Sequence, residues 1–146
     1  MKAFKIFTLL IITLNSCRGQ HHKTMENDLL SEYISPAENA KVVVLFGGNP
    51  NRRDEVIRLL MQLNTLTIYG TLSEEDGMRK IKELKKVDLI LIGGKYSNEQ
   101  RMSIRSFVKA KLPNTKITEP GYDYPYSNDG ILNDVLSKLQ LTIQTK

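Results

Sequence analysis

Two kinds of apolar pattern alternate along the chain. Val42-Val43-Val44-Leu45-Phe46 and Val87-Asp88-Leu89-Ile90-Leu91-Ile92 are nearly unbroken runs of strand length, and each stops at a glycine pair, Gly47-Gly48 and Gly93-Gly94. Apolar runs without alternation mark strands buried on both faces, as in a parallel sheet. Elsewhere the apolar residues recur at spacings of three and four: Val56, Leu60 and Leu63; Met78, Ile81 and Leu84; Ile104, Phe107, Val108 and Leu112; Ile131, Leu132, Val135, Leu136 and Leu139. Each set forms one stripe of an amphipathic helix.

Capping residues fix where those helices start. Asn49-Pro50-Asn51 supplies a cap and a first-turn proline, Ser73-Glu74-Glu75-Asp76 a cap with acids at the positive helix end, and Ser97-Asn98-Glu99-Gln100 a capping box. Leu66-Thr67-Ile68-Tyr69 reads as a shorter, partly polar second strand suited to a sheet edge. Lys116-Ile117-Thr118 makes a short fourth strand before Pro120-Gly121, and Leu141-Thr142-Ile143 alternates as a candidate fifth. Strands alternating with crossover helices predict an α/β fold, a three-layer α/β/α sandwich. Its parallel sheet has four strands, or five with Leu141–Ile143, in the order 2-1-3-4. The topological switch then falls between strands one and three, beside both glycine pairs.

The front of the chain carries an address. Met1 to Lys5 is basic and Ile6 to Leu14 is apolar apart from Thr8 and Thr13, too short to span a bilayer and right for the core of an export signal. Leu14-Asn15-Ser16-Cys17 resembles the lipobox of bacterial lipoproteins, in which the cysteine becomes the lipidated first residue. That resemblance implies a signal peptide over residues 1–16, a lipidated tether over 17–40 and a domain over 41–146. The anchor would hold the protein to a membrane of the bacterial cell envelope, and more than one acyl chain makes such anchoring stable. Ordinary cleavage near Ser16, with Cys17 as a bystander thiol, is the alternative. Within the tether, Leu29-Leu30, Tyr33 and Ile34 suggest two helical turns before Pro36.

Composition narrows the chemistry. The 146 residues are 25% charged and 40% hydrophobic, an ordinary globular balance for one domain. Loss of Lys2 and Lys5 with the leader lowers the formal charge of +5 to +3, too small and scattered to argue for nucleic acid. Cys17 is the only cysteine, which rules out an intramolecular disulfide. His21 and His22 adjoin in a polar stretch and read as solvated tether, so no metal site is expected, with a metal-binding pair as the alternative.

Residues 41–139 resemble a response-regulator receiver domain, a flavodoxin-like fold, in element order and in the strand Val87–Ile92. Receivers carry a pair of acids after the first strand and a phosphoacceptor aspartate at the end of the third. Here those places hold Gly47-Gly48 and Gly93 or Gly94; no lysine matches the one expected after a fifth strand, and Thr118 matches the hydroxyl residue ending the fourth only loosely. Aspartyl phosphorylation needs a carboxylate nucleophile and carboxylates to hold magnesium. The resemblance therefore implies a degenerate receiver that binds without catalysis. Dinucleotide, Walker, nucleophile-elbow and zincin motifs are also missing, and no cofactor or catalytic residue is expected.

The expected function is that of a membrane-anchored lipoprotein carrying a non-catalytic receiver-like module for a protein partner or small ligand. The alternative is a small nucleotide- or anion-binding protein, or an enzyme, using the glycine edge. Candidate ligand residues are Gly47, Gly48, Asn49, Gly93, Gly94 and Lys95, with Arg52 and Arg53 near enough in sequence to assist. Bare backbone admits close approach, and helix-start amides favour an anion. Glycines that merely permit tight turns are the simpler reading. Tyr122 and Tyr124 are further candidates, because Tyr122, Tyr124 and Tyr126 alternate and an extended segment would send all three rings one way, as a stacking lid or an adhesive surface; covering the sheet edge and helix ends is the alternative. Lys82, Lys85 and Lys86 read as a solvated helix face.

Overall fold

The computed structural model describes residues 31–143. The leader, Cys17, His21 and His22 lie outside them. In chain order the elements are β1 (Glu32–Tyr33), β2 (Lys41–Phe46), α1 (Pro50–Met61), β3 (Leu66–Thr71), α2 (Glu74–Glu83), β4 (Leu89–Ile92), α3 (Asn98–Lys111), β5 (Lys116–Thr118) and α4 (Asn128–Leu139). The first three helices begin where their caps predict: the side chains of Asn49, Ser73 and Ser97 each accept a first-turn amide, Ser97 with Gln100 closes the capping box, and Ser127 caps the fourth helix in the same way.

The sheet is five-stranded and mixed, in the order β1-β3-β2-β4-β5. β3, β2, β4 and β5 run parallel, with Val43 beside both Ile68 and Leu89 and Ile90 beside Ile117. β1 pairs antiparallel with β3, Glu32 opposite Tyr69 and Tyr33 opposite Ile68. Three expectations change with it. The sheet is not purely parallel, β3 is not an edge, and part of the expected tether forms a strand rather than helical turns. The fifth strand therefore comes from the N-terminal side. Leu141–Ile143 forms none: Gln140 turns left-handed at φ 55°, the Leu141 amide donates back to Leu136 O at 2.9 Å, and Leu141 packs against the core.

Alternation along the strands divides the core into two layers. Val43, Leu45, Leu66, Ile68, Leu89 and Leu91 face α1 and α4, meeting Val56, Ile57, Leu60, Ile131 and Val135. Val44, Phe46, Ile90 and Ile92 face α2 and α3, meeting Ile81, Ile104 and Val108. β2 and β4 are buried on both sides, which explains their unbroken apolar sequence. Burying each such side chain is worth roughly 1.5–3 kcal/mol, so the two inner strands hold both layers to one frame. Their C-terminal tips, where the ladder ends in glycine, open onto the candidate site.

Candidate functional site

A cleft of about 750 Å³ lies over the ends of β2 and β4, lined among others by Gly47, Gly48, Asn49, Gly93, Gly94 and Lys95. The predicted glycine edge is thus one continuous surface. The Gly47 amide bonds Thr71 O at 3.1 Å and the Gly93 amide bonds Phe46 O at 2.8 Å, extending the sheet by one residue on each strand. A side chain at Gly93 would meet Phe46 O at 2.9 Å, so this glycine is needed for strand packing. Gly48 is covered by the Lys95 side chain, whose Cβ would lie 3.0 Å from a new Cβ there. The amides of Gly48 and Gly94 donate to no partner among the described residues.

The helix starts are less open to an anion than the sequence suggests. In α1, Pro50 has no N–H, the Arg52 amide is taken by Asn49 Oδ1 at 3.0 Å and the Arg53 amide by Asn49 O at 2.9 Å. In α3 the capping box takes the Gln100 amide, and Ser97 O accepts from Arg101 N at 2.9 Å. Glu99 occupies the positive end as well; hydrogen bonds from its own amide and the Ser97 hydroxyl lower its pKa.

Most of the cations near the cleft are already engaged. Arg52 reaches from α1 across to the loop before α4. Its Nε donates to the Tyr126 hydroxyl at 3.2 Å, its Nη2 to Asn128 Oδ1 at 2.8 Å and its Nη1 to Glu55 at 2.6 Å, with the guanidinium 4.8 Å from the Tyr126 ring centre. Partial burial alone would lower its pKa, but the hydrogen bonds to Glu55 and Tyr126 outweigh it and raise the value. Arg53 is buried and donates through Nε to Asp54 at 2.8 Å. Lys95, exposed at the rim, has no ion-pair partner among the described residues.

The tyrosine-rich loop does not send its rings one way. Pro120 and Tyr124 form an isolated bridge and Gly121 takes φ 81°, so the segment curls rather than extending. Tyr126 folds over Gly94, where a side chain would come within 3.1 Å of the ring, and it alone of the three lines the cleft. Tyr122 is turned toward α3, its ring 4.5 Å from the Arg105 guanidinium and 5.4 Å from that of Arg101. Tyr124 is half-buried, its hydroxyl 2.7 Å from Thr118 Oγ1, and burial pushes its pKa up to about 12. Thr118 also donates to Asp134 at 2.5 Å, which leaves Tyr124 as donor to Thr118. Neither Tyr122 nor Tyr124 belongs to the glycine site.

Sequence reasoning missed two features beneath this edge, an ion network and a buried tyrosine hydrogen bond. Glu119, just past β5, accepts from Arg101 Nη1 at 3.0 Å and from Arg105 Nε at 2.7 Å, while Arg101 Nη2 donates to Gly93 O at 2.9 Å. Glu119 and Arg101 are buried, 4% and 3% exposed. That bond ties α3 to the cleft floor. The Glu119 hydrogen bond also raises the Arg105 pKa. On the other side of the floor the Tyr96 hydroxyl donates to Gly47 O at 3.0 Å. Its pKa rises to about 12, through burial first and the charges of Glu74, Asp76 and Glu75 after it. Nothing in residue spacing marks Glu119 as a partner of α3; only its place between a buried strand and Pro120 hints at a function inside the fold.

Chemically, the edge presents glycine backbone, one uncommitted ammonium and ion pairs closed on themselves. Among the described residues no group of three or more His, Cys, Asp or Glu side chains could hold a metal ion, and no helix is long and apolar enough to cross a membrane. Compared with protein-family models, with curated proteins and with solved structures, the chain matches none.

Proposed function

We propose that the chain is a lipid-anchored protein of the bacterial cell envelope whose α/β domain is a receiver-like, non-catalytic binding module, taking a small anionic ligand in the cleft over Gly47-Gly48 and Gly93-Gly94. The observation that carries the reading is the cleft itself: glycine backbone stands at the tips of β2 and β4, where phosphotransfer would require carboxylates. Of the acids near this edge, Asp54, Glu55 and Glu119 are held by Arg53, Arg52 and the Arg101–Arg105 pair, while Glu74 and Glu75 line a neighbouring hollow with Gly48 and Lys95, beyond the strand tips. Binding would draw on the Lys95 ammonium and the free amides of Gly48 and Gly94. The run β3-β2-β4-β5 of parallel strands supports the flavodoxin-like reading, with β1 as an added edge. The leader and Cys17 supply the anchor.

Two measurements test it. Incubation with a small phosphodonor and magnesium should give no hydroxylamine-labile acyl phosphate, and such an adduct would overturn the non-catalytic reading. A thermal-shift screen of small phosphates and carboxylates should find a stabilising compound, worth about 2.7 kcal/mol at a hundred times its dissociation constant. Lys95→Glu should abolish that shift. A compound that stabilises the variant equally would place the site elsewhere.

A further inference from the structure

Lysines scattered through the sequence meet at the end of the domain opposite the cleft. Lys82 lies in the last turn of α2, Lys85 and Lys86 follow in the loop to β4, Lys109 and Lys111 close α3, and Lys116 opens β5; all six are exposed. Contacts hold these segments side by side. Lys82 Nζ is 5.7 Å from the centre of the Phe107 ring on α3, Thr115 Oγ1 donates to Val87 O at 2.7 Å, and the Lys116 amide donates to Asp88 O at 3.2 Å. The acids at this end are Glu83, paired with Lys80, Asp88, which pairs with Lys86 and accepts the Val42 amide, and Glu38, exposed in the turn leading into β2.

The opposite end is acidic, with Glu74, Glu75, Asp76, Glu99 and Asp129 in the first turns of α2, α3 and α4. Charge is therefore separated along the strand direction. Helix dipoles account for lysines within a last turn, but Lys85, Lys86 and Lys116 lie outside the helices.

We propose that this lysine-rich end is a docking surface for an anionic lipid bilayer. An anionic surface strengthens binding roughly fivefold for each basic residue brought near it, and it repels the acidic end. The attachment permits this orientation. Ser31 O accepts from the Gly70 amide at 2.6 Å, so the chain joins the sheet toward the cleft end. The thirteen residues 18–30 separate that point from Cys17. A coil of that length spans on the order of 20 Å and reaches about 45 Å extended, against roughly 20 Å for the six residues of β2. With the lysines on the bilayer, the cleft opens away from it.

The test uses the chain from residue 18 onward, without leader or acyl site; every described element is retained, and circular dichroism verifies the fold. Co-sedimentation is measured with phosphatidylcholine vesicles, with and without one-third phosphatidylglycerol. Binding should appear only with the anionic lipid and weaken at least tenfold in high salt. The triple variant Lys85→Glu, Lys86→Glu, Lys116→Glu, verified to melt at the wild-type temperature, should bind about a hundredfold more weakly. Arg79→Glu, nearer the acidic end, should change binding less than twofold. Equal binding to neutral vesicles, undiminished binding by the triple variant, or capture by soluble polyphosphate without vesicle binding would each overturn the proposal. Because Cys17 is absent, none of these outcomes depends on its acylation, which the mass of the mature protein reports separately.

Discussion

Gly77 lies within α2, where alanine should improve helix propensity by about 1 kcal/mol. Packing predicts the opposite outcome. A methyl group built on Gly77 would come within 2.1 Å of Phe46 Cε1, 2.4 Å of Cζ and 2.5 Å of Cδ1. Carbon atoms rest about 3.5–4.0 Å apart, so the ring or the helix must yield by about 1.5 Å. Phe46 has no exposed surface, sits on an inner strand and meets Tyr96 edge-on at 6.4 Å. The ring has little room to move. Overpacking of this kind costs typically 1–3 kcal/mol, and an immobile neighbour argues for the upper value. After the propensity gain, Gly77→Ala should lose about 2 kcal/mol, lowering the melting temperature by about 8 °C. Urea unfolding should show a lower midpoint with an unchanged slope. Phe46→Leu in the same background should return at least 1 kcal/mol as coupling in a double-mutant cycle. A Gly77→Ala protein as stable as wild type would refute the packing argument.

Glu119→Gln keeps the shape of the side chain but strips the charge that Arg101 and Arg105 share, leaving a buried guanidinium uncompensated; chemical denaturation should register a loss of about 3–5 kcal/mol. Thr118→Val removes the hydroxyl between Tyr124 and Asp134 and should cost about 1–3 kcal/mol by the same assay, with a neutral result showing that the chain of bonds is dispensable. Tyr96 and Tyr124 ionise near 12 in the fold against about 10 when unfolded, so the unfolded chain releases those protons first. The stability they carry is complete below pH 10 and is lost as pH rises toward 12. Absorbance titration should find two tyrosines still protonated at pH 11 in the native protein, and full ionisation there in a still-folded sample would contradict the assignment.

The elements that read correctly from sequence are those in which local chemistry and burial agree. β2 and β4 are apolar because both faces are covered, and the capped helices start where a side chain takes an orphan amide. Where a tertiary contact decides, the pattern falls silent. Glu32-Tyr33 is two residues long and only its pairing with Tyr69 and Ile68 makes it a strand, so no periodicity announces it. β3 looked like an edge because Thr67 and Tyr69 interrupt its apolar run. The Thr67 hydroxyl in fact accepts the Ser35 amide at 3.1 Å, holding down the segment after β1, and Tyr69 packs under Lys80. Its polarity serves the covering strand rather than solvent.

At the candidate site the same division separates backbone from side chains. The glycine pairs announced a bare strand edge because only backbone fits between Gly93 and Phe46 O, a local steric fact that spacing can carry. The direction of Tyr122, Tyr124 and Tyr126 depended on whether the loop ran extended. Its curl at Gly121 distributes the rings among α3, α4 and the cleft, a result fixed by partners outside the motif such as Arg105 and Thr118. The same partners change what the edge can do. Arg52 and Arg53 look in sequence like cations available to a ligand, and in the fold they are engaged by Glu55 and Asp54. Those pairs occupy the guanidinium groups, and Lys95 stands at the rim with no ion-pair partner among the described residues. On the proposed reading, a ligand would meet Lys95 and glycine backbone before any other charge, and donors held in place by the fold would bind it with little ordering cost.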